Sequence, residues 1–138
     1  MENSQQYRFT ASDPDFGEAG FRPYLPINLS YGSKTLNVAG MLDSGAMVNV
    51  LPYGVGVALG AVWNEQTKVL KLTGNLAQVE AKVLLVNATV GTFPSVRLAF
   101  AWTQSDSVPL LLGQVNFFRE FNVCFYRSAL TFEISPKR

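Results

Sequence analysis

The sequence predicts a mainly β protein with one or two short helices, and three observations carry that reading. Its 138 residues include 15 valines and little of the Ala/Glu/Lys pattern that builds helices. Apolar and polar residues alternate with a two-residue period in several segments, as they do in half-buried strands. The length suits one compact domain with a core of its own.

The elements follow in order. Residues 1–22 are polar and broken by Pro14, Gly17 and Gly20, with Pro23 just beyond, and read as a loose or extended arm; residues 23–138 form the domain. Ile27, Leu29 and Tyr31 alternate with Asn28 and Ser30, Gly32-Ser33 offers a turn, and Leu36, Val38 and Leu42 resume on one phase. A short helix is expected near Tyr53–Leu59. Val79, Ala81, Val83 and Leu85 alternate with Gln78, Glu80 and Lys82, which assigns the four apolar side chains to one face. Lys82 reads as a solvated strand position, as do Lys68 and Lys71. Val96, Leu98 and Phe100 alternate with Ser95 and Arg97. A second helix over Phe117–Phe121 gives Phe117, Phe118 and Phe121 a common face, with Asn116 as its cap. Val123 and Phe125 then pair with Leu130, Phe132 and Ile134 across a turn at Arg127-Ser128-Ala129. Trp63 and Trp102 read either as walls of a groove or as packing residues.

Composition limits the chemistry. Histidine is absent and Cys124 is the only cysteine, so a His-based triad, a His/Cys zinc site and an internal disulfide are excluded. Cys124 has no His partner or nearby cations to lower its pKa and reads as a structural thiol. No cofactor is expected. Eleven Lys and Arg against ten Asp and Glu give a charge of +1 with no basic run, which offers nothing to nucleic acid or an anionic membrane. The longest apolar stretch, Tyr53 to Trp63, contains three glycines and is too short to span a bilayer. The first residues lack the charge and apolar segment of a secretion signal, so a cytoplasmic location is expected. Charged residues are 15% of the chain against roughly 25% in ordinary soluble domains, and the surplus apolar surface suggests a subunit interface.

Two segments could carry chemistry. In Met41-Leu42-Asp43-Ser44-Gly45-Ala46 an apolar strand runs directly into an acid, a hydroxyl and a glycine, and a second apolar run, Val48 to Leu51, follows. An isolated Asp-Ser-Gly is a common solvated turn. An acid held between apolar strands is expected to lie at least partly buried instead. The second segment, Val108-Pro109-Leu110-Leu111-Leu112-Gly113-Gln114, reads alone as a buried strand stopped by glycine.

Taken together, the two segments resemble the retropepsin family of aspartic proteases: a hydrophobic-hydrophobic-Asp-Ser/Thr-Gly-Ala motif, then about 70 residues later a hydrophobic-hydrophobic-Gly segment, a short helix and a closing strand. The resemblance covers residues 25 to 134, and is shared with the protease-like domains of DNA-damage-inducible ubiquitin shuttle proteins and with small bacterial retropepsin-like proteins. It implies a small closed acid-protease barrel with a flap hairpin, and hydrolysis of peptide bonds by two carboxylates sharing a proton. The chain offers one Asp-Ser-Gly. Asp106 sits in a polar loop, and Asp13 and Asp15 lie in the arm. The resemblance therefore implies a homodimer in which each copy gives Asp43 to a shared dyad on a two-fold axis. The substrate would be an extended, apolar stretch of peptide or protein.

The same resemblance gives Ser44 a hydrogen bond across the axis, lets Gly45 and Ala46 support the loop, and sets Thr73, Gly74 and Asn75 at the flap tip. Two positions depart from the family pattern. Gln114 stands where many relatives place an arginine serving the dimer, and Val115 makes the following segment one residue longer. The alternative function is a non-catalytic peptide-binding or dimerisation module of the same fold, and a third is an unrelated barrel in which Asp43 is only a turn acid.

Overall fold

A computed structural model describes residues 3–12, 14–72 and 79–137. The arm contributes β1 (Gln5–Arg8), β2 (Thr10–Ala11) and, after a 3-10 segment over Pro14–Gly20, β3 (Phe21–Arg22). β4 (Tyr24–Tyr31) and β5 (Lys34–Leu42) form the first long hairpin. Its two-residue turn places Gly32 at φ +58°, a conformation that favours glycine. Leu25, Ile27 and Leu29 are buried on one face of β4, as alternation requires.

β6 (Asn49–Leu51) precedes helix α1 (Tyr53–Ala58), and β7 (Val69–Lys71), β8 (Glu80–Thr89) and β9 (Val96–Thr103) follow. The chain then gives β10 (Leu111–Leu112), α2 (Phe117–Glu120), β11 (Phe121–Tyr126) and β12 (Thr131–Pro136). The larger sheet runs β4-β5-β10-β6-β9-β8-β7, and a further pairing of β4 with β8 closes six of these strands into a barrel. The expected mainly β fold with a closed barrel and two short helices is what the chain adopts. A smaller sheet, β1-β12-β11, joins the arm to the C-terminal hairpin. Phe9 is buried, and its amide donates to the Leu130 carbonyl.

The main core gathers Phe100, Trp102, Phe117, Phe121 and Phe132 with aliphatic residues of β4, β8 and β10. Phe117 stacks on Phe121 at 5.0 Å and meets Phe118 edge-on at 5.8 Å, the shared face that the helix spacing predicts. Trp102 is fully buried and Trp63 packs edge-on against it at 5.3 Å, so both tryptophans act in packing. The Trp102 indole also donates to the Tyr53 carbonyl of α1 at 3.2 Å. A Cβ at Gly56 would overlap that indole. Gly56→Ala is therefore expected to cost about 1–3 kcal/mol by overpacking, read as a lower urea midpoint at unchanged slope.

Three expectations are corrected. β8 does not keep one apolar face: Ala81 packs into a small cluster with Leu72 and Ala101, while Leu84, Val86 and Ala88 enter the main core. Leu85, on the Ala81 phase, is 51% exposed. The pairing with β9 runs without a break from Ala81↔Thr103 to Ala88↔Val96, so the strand is continuous and the change lies in what covers each face along its length. Lys82 is half-buried rather than solvated. Its ammonium donates to the Trp63 carbonyl at 3.1 Å and lies 4.7 Å from the centre of a Trp63 ring. Lys68 and Lys71 are exposed. Asn116 makes no side-chain cap for α2; its amide is engaged elsewhere, as described next.

Candidate active site

Asp43 stands where β5 ends. β10 lies parallel to β5, with Leu111 opposite Met41 and Leu112 opposite Leu42, and antiparallel to β6, with Leu111 opposite Val50. The two segments singled out in the sequence are thus neighbours in one sheet. The Met41 amide donates to the Leu110 carbonyl at 2.9 Å and the Asp43 amide to that of Leu112 at 3.0 Å. The acid is held at the point where two parallel strands stop together.

Beyond Asp43 the chain turns sharply. The Gly45 amide donates to Asp43 Oδ1 at 2.9 Å, and the Ala46 amide to the Asp43 carbonyl at 3.1 Å. Gly45 is the only donor to the carboxylate among the described residues. Asp43 and Ala46 are half-buried, and Ser44 and Gly45 are exposed. The carboxylate is therefore oriented by its own loop and still open to solvent.

The far side of this loop rests on the segment after β10. Gln114 and Val115 donate backbone N–H groups to the carbonyls of Ala46 and Met47, at 2.9 and 2.7 Å. The Gln114 side chain donates to the Ser44 carbonyl at 2.7 Å, so it braces the acid loop within its own chain. Gly113 is buried so tightly that an added Cβ would lie 2.6 Å from the Val48 carbonyl oxygen and 2.8 Å from that of Ala46.

Asn49 reads in the sequence only as part of an apolar run, and it proves central to the support. Fully buried, it accepts from the Gly113 amide at 2.8 Å and donates to the Ala99 carbonyl and to Asn116 Oδ1. Asn116 Oδ1 also accepts from the Ala99 amide at 2.7 Å. The sequence carries a signal for this: a polar residue between Val48 and Val50 in a buried strand requires partners. Asn49→Ala leaves the Gly113 amide buried without its acceptor. It is expected to destabilise the fold by about 1–3 kcal/mol, measurable by chemical denaturation.

Asp106 takes a structural place. Its Oδ1 accepts from the Gly54 amide at 2.6 Å in the first turn of α1, where Pro52 provides no side-chain cap. Thr73, Gly74 and Asn75, expected at the flap tip, lie outside the described residues. Among the described residues no three or more His, Cys, Asp or Glu side chains gather as a metal site, and no helix is long and apolar enough to cross a membrane.

Neither a scan of protein-family models nor a search of curated proteins gave a match. A search of solved structures found similarity to the crystal structure of a retropepsin-like aspartic protease from Rickettsia conorii. The two agree with a TM-score of 0.63 over 95% of this chain and 90% of the other, at 15% identity. The chain has the retropepsin-like fold. In this chain the strand end bearing Asp43 and the adjoining Gly113 segment form one braced unit.

Proposed function

We propose that the chain is an aspartic endopeptidase that works as a homodimer, each copy giving Asp43 to a shared dyad. The observation that carries this reading is the placement of Asp43 at the paired ends of β5 and β10, partly buried, with a single loop amide fixing one carboxylate oxygen. The Gly45 contact alone is that of an ordinary Asx turn; the strand-end placement beside β10 is what sets Asp43 apart.

In the dimer, two carboxylates close together keep one proton between them. The ionised partner accepts a proton from a bound water as its oxygen attacks the scissile carbonyl carbon. The protonated partner gives its proton to the carbonyl oxygen, forming a tetrahedral diol. Collapse of the diol breaks the C–N bond, with a proton passing to the leaving nitrogen, so water is consumed and one acid and one amine are released. Ser44 would link the two loops, Gly45 and Ala46 would let them approach, and Thr73, Gly74 and Asn75 would close over substrate and exclude water. Peptide would lie extended between the flaps and the floor, held in part through its backbone.

Cleavage of a peptide library between pH 3 and 8 tests the reading. A shared-proton pair gives a bell-shaped rate profile, blocked by a peptide carrying a central statine hydroxyl. Peptide binding without turnover at any pH would favour the non-catalytic module.

A further inference from the structure

The loop between β9 and β10 is tied to the start of α1 at two points. Asp106 Oδ1 accepts from the Gly54 amide at 2.6 Å, and the Ser105 carbonyl accepts from the Tyr53 amide at 3.2 Å. The loop is also stitched at its base. The buried Thr103 hydroxyl reaches the Leu51 carbonyl at 3.4 Å and that of Ser105 at 3.1 Å, and the Ser107 amide donates to Ser105 Oγ at 3.1 Å. Gln104, Asp106 and Ser107 are exposed and Ser105 is half-buried, so these hydrogen bonds, and not apolar packing, hold the loop in place. Two residues beyond Asp106 the chain enters the surroundings of the acid. Val108 is buried with Val50 and Leu111, and half-buried Met41, Ala46 and Val48 pack against them. Met41 and Ala46 stand on either side of Asp43 in the sequence, so this uncharged cluster is an apolar wall beside the acid loop.

We propose that Asp106 is a positioning residue for this wall: by tying the loop to α1 it fixes Val108, and so sets how large an apolar side chain the substrate can place beside the scissile bond. The inference rests on the endopeptidase reading and deepens it, because it names what governs the choice among apolar substrates. A helix cap is usually the residue just before the helix. Here the acceptor comes from 52 residues away, so the capping bond is at the same time a tertiary tie. Only Ser107 separates Asp106 from Val108, and Pro109 follows. Proline fixes its own φ and keeps the residue before it extended, which removes torsions through which the segment could absorb a displacement. Movement at Asp106 therefore reaches Val108. The Leu110 carbonyl beyond it accepts from the Met41 amide, so the same movement is felt at the end of β5. The Gly54 amide lies in the first turn of α1 and can turn to water when its acceptor is lost, so releasing the loop leaves the helix formed. Asp106 acts through Val108 and not on the reacting atoms.

The test compares Asp106→Ala and Asp106→Asn with the wild-type chain on peptides built from a sequence that the library shows to be cleaved, carrying alanine, leucine or phenylalanine before the scissile bond. Asp106→Ala is expected to raise KM for the best of the three by about tenfold and to narrow their spread in kcat/KM by a similar factor, with kcat and the pH profile retained. Asp106→Asn keeps an oxygen for the Gly54 amide and is expected to stay within about twofold of the wild type. Thr103→Val releases the same loop without touching Asp106 and is expected to shift the preference in the same direction; should the alanine variant misfold, this one decides. A lower unfolding midpoint with the preference unmoved would reduce Asp106 to a structural role and overturn the proposal. So would an asparagine variant as altered as the alanine one, because the tie needs an acceptor and not a charge. Amide hydrogen exchange reads the tie without catalysis: Tyr53 and Met41 are expected to exchange about tenfold faster in Asp106→Ala and at the wild-type rate in Asp106→Asn. Exchange that responds in this way in a chain that cleaves nothing at any pH would remove the endopeptidase reading and leave the tie. Cleavage that requires Asp43, with exchange and preference both unmoved by Asp106→Ala, would remove the tie and leave the endopeptidase.

Discussion

Asp43→Asn is expected to lower the cleavage rate by on the order of 10²–10⁴-fold while leaving the fold intact. The asparagine carbonyl can still accept the Gly45 amide that now bonds Oδ1, so the turn keeps its geometry. What disappears is a group able to take a proton from water. Thermal unfolding and single-turnover cleavage, measured on the same preparation, separate these effects. If Asp43 were only a turn acid, both readings would stay at the wild-type level.

Gly113→Ala is expected to damage stability and activity together. The added methyl would press on the Val48 and Ala46 carbonyl oxygens, backbone atoms that cannot rotate away. Relief requires parting the Gly113 segment from the acid loop. That movement would stretch the Gly113 amide from Asn49 and the Gln114 amide from Ala46. A cost of about 3 kcal/mol, the upper part of the usual overpacking range, is expected in urea unfolding. Residual activity should fall further than the folded fraction, because the surviving molecules hold Asp43 loosely. A drop in stability with full specific activity per folded molecule would show that the brace does not position the acid.

The β character is legible in the sequence because alternation in Ile27–Tyr31 and Val96–Phe100 reports a face covered along the whole segment. The Asp43 turn is legible because solvated turns flank their acid with polar residues, whereas Met41, Leu42 and Val48 to Leu51 flank this one. β8 defeats the same logic: its two ends are covered on opposite faces, a fact of tertiary packing that no local period encodes. Lys82 reads as solvated from its charge alone, although its long stem can cross an indole and its ammonium can reach a carbonyl. Asn116 has the composition of a helix cap, but Asn49 and the Ala99 amide, distant in sequence, claim its side chain. Gln114, at which the resemblance implies a departure from a dimer-serving arginine, donates its side chain to the Ser44 carbonyl of its own chain. The residues that support the acid are harder to see than the acid because their partners come from β9 and the segment after β10.

The most direct test is to mix wild-type chain with Asp43→Asn in varying proportion, allow subunits to exchange, and follow the cleavage rate. If the dyad is shared between two chains, only wild-type pairs cleave and the rate follows the square of the wild-type fraction, so an equal mixture keeps about one quarter of the activity. A rate falling in simple proportion, with about one half remaining in the equal mixture, would mean that each chain acts alone and would contradict the shared dyad.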